Sequence, residues 1–338
     1  MKNEDKRELR ASVVLATYDR QEPLARVLEA LARQALPTEE WEVVVVDDGS
    51  VEPAAPVVAR YADRLQISVL RQENAGVAVA RQSGVTRARG KIVIFIDDDI
   101  LVASDFVAQH LAAHDGDDEP ATRVVMGELL PDERIRAMPL FERFYARLLA
   151  RTARDLSSTR TFSGHDVYTG NLSLARELFL RVGGFDPSFW IEDVELGVRL
   201  GQAGASFVFS RAAAAVHASD HTSLERWLAR NVRDGRDWVR LLRKHPEAIE
   251  ASPWRHLTNL HPAARPFLVA ALTYPRGARG LSRIVFEGAR GADALGLERA
   301  ALAATTVVYG IQYFVGVREE TGSLALLSHG GTPEAPAP

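Results

Sequence analysis

Lys91-Ile92-Val93-Ile94-Phe95-Ile96-Asp97-Asp98-Asp99 is an apolar run that ends in three consecutive carboxylates. The run reads as a buried strand. Three adjacent carboxylates at its end repel one another and lose solvation, so they require a cationic partner. A divalent metal on a diphosphate meets that need, because hard oxygen ligands suit Mg²⁺ or Mn²⁺. A second acidic segment, Trp190-Ile191-Glu192-Asp193-Val194-Glu195, offers a general base. Together the two segments imply chemistry on a nucleotide-linked substrate.

Working outward, the same pattern repeats. Ser12 to Ala16 is an apolar run followed by Thr17-Tyr18-Asp19-Arg20, and Val43 to Val46 is followed by Asp47-Asp48-Gly49-Ser50. Ile67 to Leu70 is another short strand. Between them, Leu24, Val27, Leu28 and Leu31 recur at helical spacing, and 57–65 and 76–86 read as further helices. Strands alternating with helices predict a parallel sheet with right-handed crossovers. Strands apolar throughout predict that both faces are covered. Ligands bind beyond the carboxyl ends of such strands, so the polar clusters at 17–19, 47–48 and 97–99 are expected to converge on one edge.

Beyond Asp115 the spacing predicts a strand at 124–127 and a helix at 140–154 bearing Arg143, Arg147, Arg151 and Arg154. A polar loop over 156–166 follows. Helices are expected at 176–182, 192–202 and 223–244, with a short strand at 206–210. The remainder reads as helical with Pro and Gly breaks, and 330–338 as a disordered tail.

The chain has 338 residues, 46% hydrophobic and 25% charged, which is ordinary for a globular enzyme. A net charge of −4 gives no footprint for nucleic acid. The absence of cysteine excludes disulfides, thiolate catalysis and Cys-based zinc sites. Residues 1–10 are charged and lack an apolar core, so no secretory signal is expected. Ala300 to Val317 is uncharged but contains Thr305, Thr306, Gly310, Gln312 and Gly316. It sits at the lower limit for a spanning helix, which needs about 20 mostly apolar residues.

The segments SVVLATYDR (12–20), VVVVDDGS (43–50), ENAGVAVARQSG (73–84), IVIFIDDDI (92–100) and TGNLSLARELFLRVGGFDPSFWIEDVELGVRL (169–200) resemble glycosyltransferase family 2. The resemblance runs from about Ser12 to Trp227, and the order and spacing of five motifs make it specific. It implies an inverting enzyme with the GT-A fold: a mostly parallel central sheet flanked by helices, joining a Rossmann-like nucleotide half (11–115) to an acceptor half (116–245). A tail at 1–10 precedes that domain, and a helical C-terminal region (246–329) follows it.

The resemblance also implies roles. Thr17, Tyr18 and Asp19 line a nucleotide pocket; the local alternative is a helix entry capped by Asp19. Asp48 hydrogen-bonds the base, and an acceptor-only carboxylate suits uracil or guanine better than adenine. Arg81 lies near the base and diphosphate, against the alternative of a solvated helical arginine. Asp97 and Asp99 are the outer pair of a DXD motif binding Mn²⁺ or Mg²⁺, and Asp98 contacts ribose. His217 completes the metal site or is structural. Gly170, Asn171, Trp190 and Glu192 border the donor sugar and acceptor, with Trp190 stacking on a sugar ring or buried. Asp193 is the catalytic base.

The implied reaction moves one sugar from a UDP- or GDP-sugar to a hydroxyl of a sugar, glycan or lipid-linked acceptor. Processive members of the family carry QXXRW, whereas this chain has Ser223-Leu224-Glu225-Arg226-Trp227, so a single transfer is expected. Other readings are a sugar-phosphate nucleotidyltransferase, which lacks its Gly-rich loop here, and a non-catalytic sugar-nucleotide module, which has no need of Asp193. A cytoplasmic setting is expected. The arginine row and the 300–317 stretch read as a solvated face and a buried or homodimer-interface helix, with peripheral contact at the inner face of a membrane as the alternative.

Overall fold

The computed structural model describes residues 9–115, 120–158, 160–248 and 262–322. They form two compact units. The first contains the chain up to Glu133, Leu149–Ser188 and Glu192–Asp220; the second contains Arg134–Leu148, Phe189–Ile191 and the chain from His221 onward.

The first unit is built on one eight-stranded sheet in the order β3-β2-β1-β4-β7-β6-β8-β5. Its first half is parallel: β1 (Ala11–Thr17) lies between β2 (Trp41–Asp47) and β4 (Ile92–Ile96), and β3 (Ile67–Arg71) flanks β2. β1, β2 and β4 are largely apolar because both of their faces are buried, whereas the edge strand β3 is half-exposed. Val13, Leu15, Val43, Val45, Ile94 and Ile96 enter one core with α1 (Gln21–Leu31) and α2 (Ala55–Ala59). Val14, Val44, Val93 and Phe95 enter the other with α3 (Val77–Arg87). Gly84 lets α3 settle on the sheet, since a Cβ there would lie 2.4 Å from Val14 Cγ1. In-register pairing of Thr17 with Asp47, and of Val14 with Phe95, brings the strand ends to a common edge.

The other half combines parallel and antiparallel pairings, so the sheet as a whole is mixed. β7 (Asn171–Ala175) runs antiparallel to both β4 and β6 (Arg123–Pro131), and β5 (Ile100–Val102) runs antiparallel to β8 (Ser206–His217). The short strand expected at 206–210 continues to His217 as β8. It pairs in parallel with β6 up to Ser210, resumes after an irregularity at Gly127/Leu129, and carries His217 to a position opposite Ile100. Behind β7 lies α4 (Phe106–His114). α6 (Arg176–Arg181) follows β7, and α7 (Glu192–Gln202) begins at the second acidic segment.

The expected helix at 57–65 is only the short α2, followed by turns. α5 (Leu140–Ser158) continues past its expected end, and a single helical turn at Gly164–Asp166 shortens the loop after it. Within the second unit, α8 (Leu224–Lys244), α9 (Arg265–Thr273), α10 (Pro275–Ala294) and α11 (Glu298–Thr321) form a helical bundle. Trp227 is part of its aromatic core, its ring stacked on Phe141 at 5.5 Å between centroids. The 300–317 stretch falls within α11, and 67% of that helix's apolar window is buried. The tail expected at 330–338 lies outside the described residues.

Candidate active site

The sequence motifs of the nucleotide half meet where β1, β2 and β4 end. Thr17 Oγ1 donates to Asp98 Oδ2 at 2.7 Å. Tyr18 is exposed. Asp19 takes a left-handed turn (φ 52°), bonds Ser50 Oγ through its N–H at 3.0 Å and accepts the Val51 N–H at 2.7 Å. The 17–20 loop is thereby tied to the turn after β2. Gly49 (φ 83°) is needed in that turn, because a Cβ would sit 2.7 Å from the Asn74 nitrogen.

Asp48 is buried. Its carboxylate accepts from Gln72 Nε2 at 2.8 Å, from the Ala75 N–H at 3.0 Å and from the Gly76 N–H at 2.9 Å. A carboxylate offers about four acceptor sites, so three are taken within the chain. Asp48 therefore fixes the 72–76 loop ahead of α3, and most of its capacity to read a base is already used.

The acidic triplet is divided between two arginines. Arg20 donates to Asp98 at 2.7 Å, to Asp99 at 3.0 Å and to Asp220 at 2.6 Å. Arg81 lies on the sheet-facing side of α3 with Ala78, Gly84 and Val85, fully buried rather than solvated. It donates through Nη1 to Glu192 Oε1 at 2.8 Å and through Nη2 to Asp97 Oδ1. Five carboxylates thus contact two guanidinium groups, leaving an excess of negative charge. Burial pushes the Asp98 and Asp99 carboxyls up to about 7, opposed by Arg20 and reinforced by their acidic neighbours. Burial, with Asp193 adjacent, pushes Glu192 up to about 7 as well. Asp193 is half-buried at the start of α7, where the helix dipole favours a carboxylate.

His217 Nε2 stands 3.8 Å from Asp99 Oδ1, and a Cβ on Gly170 would lie 3.2 Å from Asp97 Oδ2. Among the described residues no three His, Asp or Glu groups are already gathered about a common metal position. The chemistry of the donor set nevertheless fits a hard divalent cation. The oxygens of Asp97 and Asp99 and the His217 imidazole are suitable ligands, and the five carboxylates of the cluster outnumber Arg20 and Arg81.

Two sequence expectations meet different surroundings. Asn171 is buried, and its amide donates to the Ala213 and Glu128 carbonyls at 2.8 and 3.2 Å. Its Oδ1 faces His110 Nε2 at 2.8 Å. It is a buried strut between β7 and its neighbours, its amide already engaged on both sides. Trp190 belongs to the second unit, where its backbone N–H donates to the Asp237 carboxylate and the Arg233 guanidinium lies 3.8 Å from its ring centroid. A cation already covers one face of that ring. Sequence reasoning missed Arg20 and Asp220 as members of the cluster. Arg20 had a signal, a cation directly after the first strand end, whereas nothing local marks Asp220.

Residues 12–178 match the glycosyl transferase family 2 profile. Validoxylamine A glucosyltransferase of Streptomyces hygroscopicus subsp. limoneus is 36% identical over 275 residues, covering 72% of this chain and 58% of that protein. The enzyme of the same name from S. hygroscopicus subsp. jinggangensis is also 36% identical, and 63% of it is covered. The chain therefore spans about three fifths of the length of these relatives. Among solved structures, the Pyrobaculum calidifontis mannosyltransferase PcManGT, in complex with GDP-Man and Mn²⁺, aligns over 89% of this chain and 88% of that one, with a TM-score of 0.59 at 21% identity. That likeness establishes the fold. The motifs at the strand ends, the mixed sheet and these matches agree that the chain belongs to glycosyltransferase family 2.

Proposed function

We propose that this protein is an inverting glycosyltransferase that moves one sugar from a nucleoside-diphosphate sugar to a hydroxyl acceptor. The observation that carries the reading is the cluster of five carboxylates, three of them buried, and two guanidinium groups near the ends of the parallel strands, with Asp193 beside it. A cluster with that excess of negative charge suits a metal-bound diphosphate on one side and a proton acceptor on the other.

In this mechanism Thr17, Tyr18 and Asp19 border the nucleoside, and Asp48 holds the 72–76 loop that flanks it. Asp98, fixed by Thr17 and Arg20, faces the ribose. Asp97, Asp99 and His217 are the residues that would hold Mn²⁺ or Mg²⁺, which when bound supplies Lewis-acid stabilisation of the leaving diphosphate. Asp193 accepts the acceptor hydroxyl proton as that oxygen bonds to the anomeric carbon and the bond to the diphosphate breaks. Gly170 leaves the approach to Asp97 open, since no side chain intervenes there. The relatives named as glucosyltransferases make UDP-glucose and GDP-glucose the first donors to try, with validoxylamine A as a first acceptor.

Thermal unfolding with UDP-, GDP-, dTDP- and CDP-sugars, each with and without Mn²⁺, tests the donor site. A metal-dependent rise in Tm with one nucleotide is expected. Asp193→Asn tests the base: it keeps that rise and loses turnover by about 10²–10⁴-fold, the usual contribution of a general base. Undiminished turnover in the variant would remove Asp193 from its role.

A further inference from the structure

Arg81 does something that neither nucleotide binding nor the base chemistry requires of it. It is buried in α3, yet its two terminal nitrogens go to carboxylates from distant parts of the chain, Asp97 at the end of β4 and Glu192 at the start of α7. Its third nitrogen, Nε, is buried with no hydrogen-bond partner. An unsatisfied buried donor is destabilising, so its retention calls for an explanation. A planar guanidinium holds separate donors in a fixed fork towards two such groups, whereas an ammonium presents its donors from a single point charge. Asp97 is the half-exposed partner, with 40% of its side chain accessible, whereas the Glu192 side chain is 8% exposed. One arm of Arg81 thus ends at a group a ligand can reach, and the other at a group it cannot.

We propose that Arg81 is a positioning residue that couples cation binding at Asp97 to the Glu192–Asp193 pair. The inference rests on the metal-dependent reading above. A cation that draws on the Asp97 carboxylate weakens its hold on Arg81. The guanidinium then interacts more strongly with Glu192, which anchors it. Glu192, held by Arg81, in turn repels its neighbour Asp193 less and leaves it in place at the start of α7. By linkage, anything that loosens Arg81 from Glu192 strengthens its competition for Asp97 and weakens the cation there.

The test is Mn²⁺ affinity, read by the EPR signal of free Mn²⁺ on the full chain, in the wild type, Glu192→Gln, Arg81→Lys and the double variant. Coupling predicts that Glu192→Gln weakens Mn²⁺ binding about tenfold, in the usual range for coupled sites. It also predicts that most of this loss disappears in the Arg81→Lys background. The kinetic signature is a lower kcat for Arg81→Lys at an unchanged donor KM. Equal losses in both backgrounds, or a raised donor KM with kcat intact, overturn the proposal; the second outcome makes Arg81 a donor-binding group. Should Arg81→Lys not fold, Asp193→Asn replaces it. That variant removes the same charge from the same neighbourhood without touching the hydrogen bond to Arg81. Coupling requires Glu192→Gln to weaken Mn²⁺ far more than Asp193→Asn does, and equal losses reduce the effect to a general field and overturn it. A wild type that binds no Mn²⁺ removes the metal-dependent reading and this proposal with it, whereas binding without coupling removes this proposal alone.

Discussion

Arg20 contacts three carboxylates at once, and two of them, Asp98 and Asp99, are buried side by side. Removing one partner of a buried ion pair is destabilising by about 3–5 kcal/mol, because the charge left behind has no solvent. Arg20→Ala is therefore expected to lower the urea midpoint markedly. If the cluster takes a divalent cation, Mn²⁺ will restore more stability to Arg20→Ala than it adds to the wild type, since the cation then supplies the missing neutralisation. Urea unfolding with and without Mn²⁺ measures both effects. An unchanged midpoint would mean that Asp98 and Asp99 escape the loss by taking up protons, which their raised pKa values allow near neutrality. The same residues mark where sequence reading stops at this scale. Asp97, Asp98 and Asp99 are legible because they are adjacent and end an apolar run. The arginines that neutralise them are not, because Arg81 reaches Glu192 across 111 positions and Arg20 reaches Asp220 across 200. One clue to Arg81 was present: it shares a helical face with Ala78, Gly84 and Val85, a face made for packing, and solvated arginines do not occupy such positions.

At the scale of elements, α4 is held to β7 by a polar chain buried under the sheet. Asn171 turns its Nδ2 to two carbonyls, so its Oδ1 must accept from His110 Nε2–H. His110 Nδ1 then accepts from the Ser173 hydroxyl at 2.8 Å, and Ser173 Oγ accepts from His114 Nε2–H at 2.9 Å. Neutral imidazoles satisfy every link. Burial lowers the pKa of His110 to about 4 and that of His114, with His110 and Arg123 adding, to about 3. Both groups lie below the unfolded value near 6.5, so the unfolded chain takes up protons that the folded chain refuses. Their contribution is complete above about pH 6.5 and is lost as pH falls towards 4, on the order of 3 kcal/mol for His110 alone. Asp98, Asp99 and Glu192 act in the opposite sense over the same range, because their raised carboxyls relieve strain as they protonate. The diagnostic quantity is therefore a difference. The midpoint at pH 4.5 minus that at pH 7 is expected to be more positive in His110→Gln than in the wild type, and parallel curves would exclude His110 as a source of pH dependence. None of this network was legible beforehand, since α4 reads as an ordinary apolar helix. The strands of the parallel half were legible because burial on both faces leaves an unbroken apolar run. β8 was legible only at 206–210, because its exposed middle, Arg211-Ala212, looks like a loop until its pairing is known.

Over the whole molecule, legibility follows motif density. The first unit carries five motifs in order, and its sheet edge could be drawn from them. The helical unit carries none, and its apolar stretches are compatible with a core, an interface or a membrane. The structure supplies the missing information for the described helices of that unit. α11 is long enough to span a bilayer, at about 1.5 Å per residue against a core of about 30 Å. Yet it is packed to backbone distance against α8: a Cβ on Gly235 would lie 1.9 Å from the Tyr313 carbonyl oxygen, and one on Gly316 would lie 2.0 Å from that of Val232. Gln312, in the middle of α11, donates to the Ser282 hydroxyl on α10. That apolar surface is used within the protein. The arginine row of α5 is partly neutralised too, with Arg143 paired to Asp293 and Glu298, and Arg151 lying 3.8 Å from Asp155. The expected result is that the chain does not float with vesicles, whether neutral or rich in phosphatidylglycerol. If it floats only with the anionic vesicles and is released by salt, the exposed arginines Arg147 and Arg154 are responsible, because surface attraction is screened within a Debye length. If it floats with neutral vesicles and resists salt, α11 must have left its place against α8, and the close approach at Gly235 and Gly316 would be one of two states available to that helix.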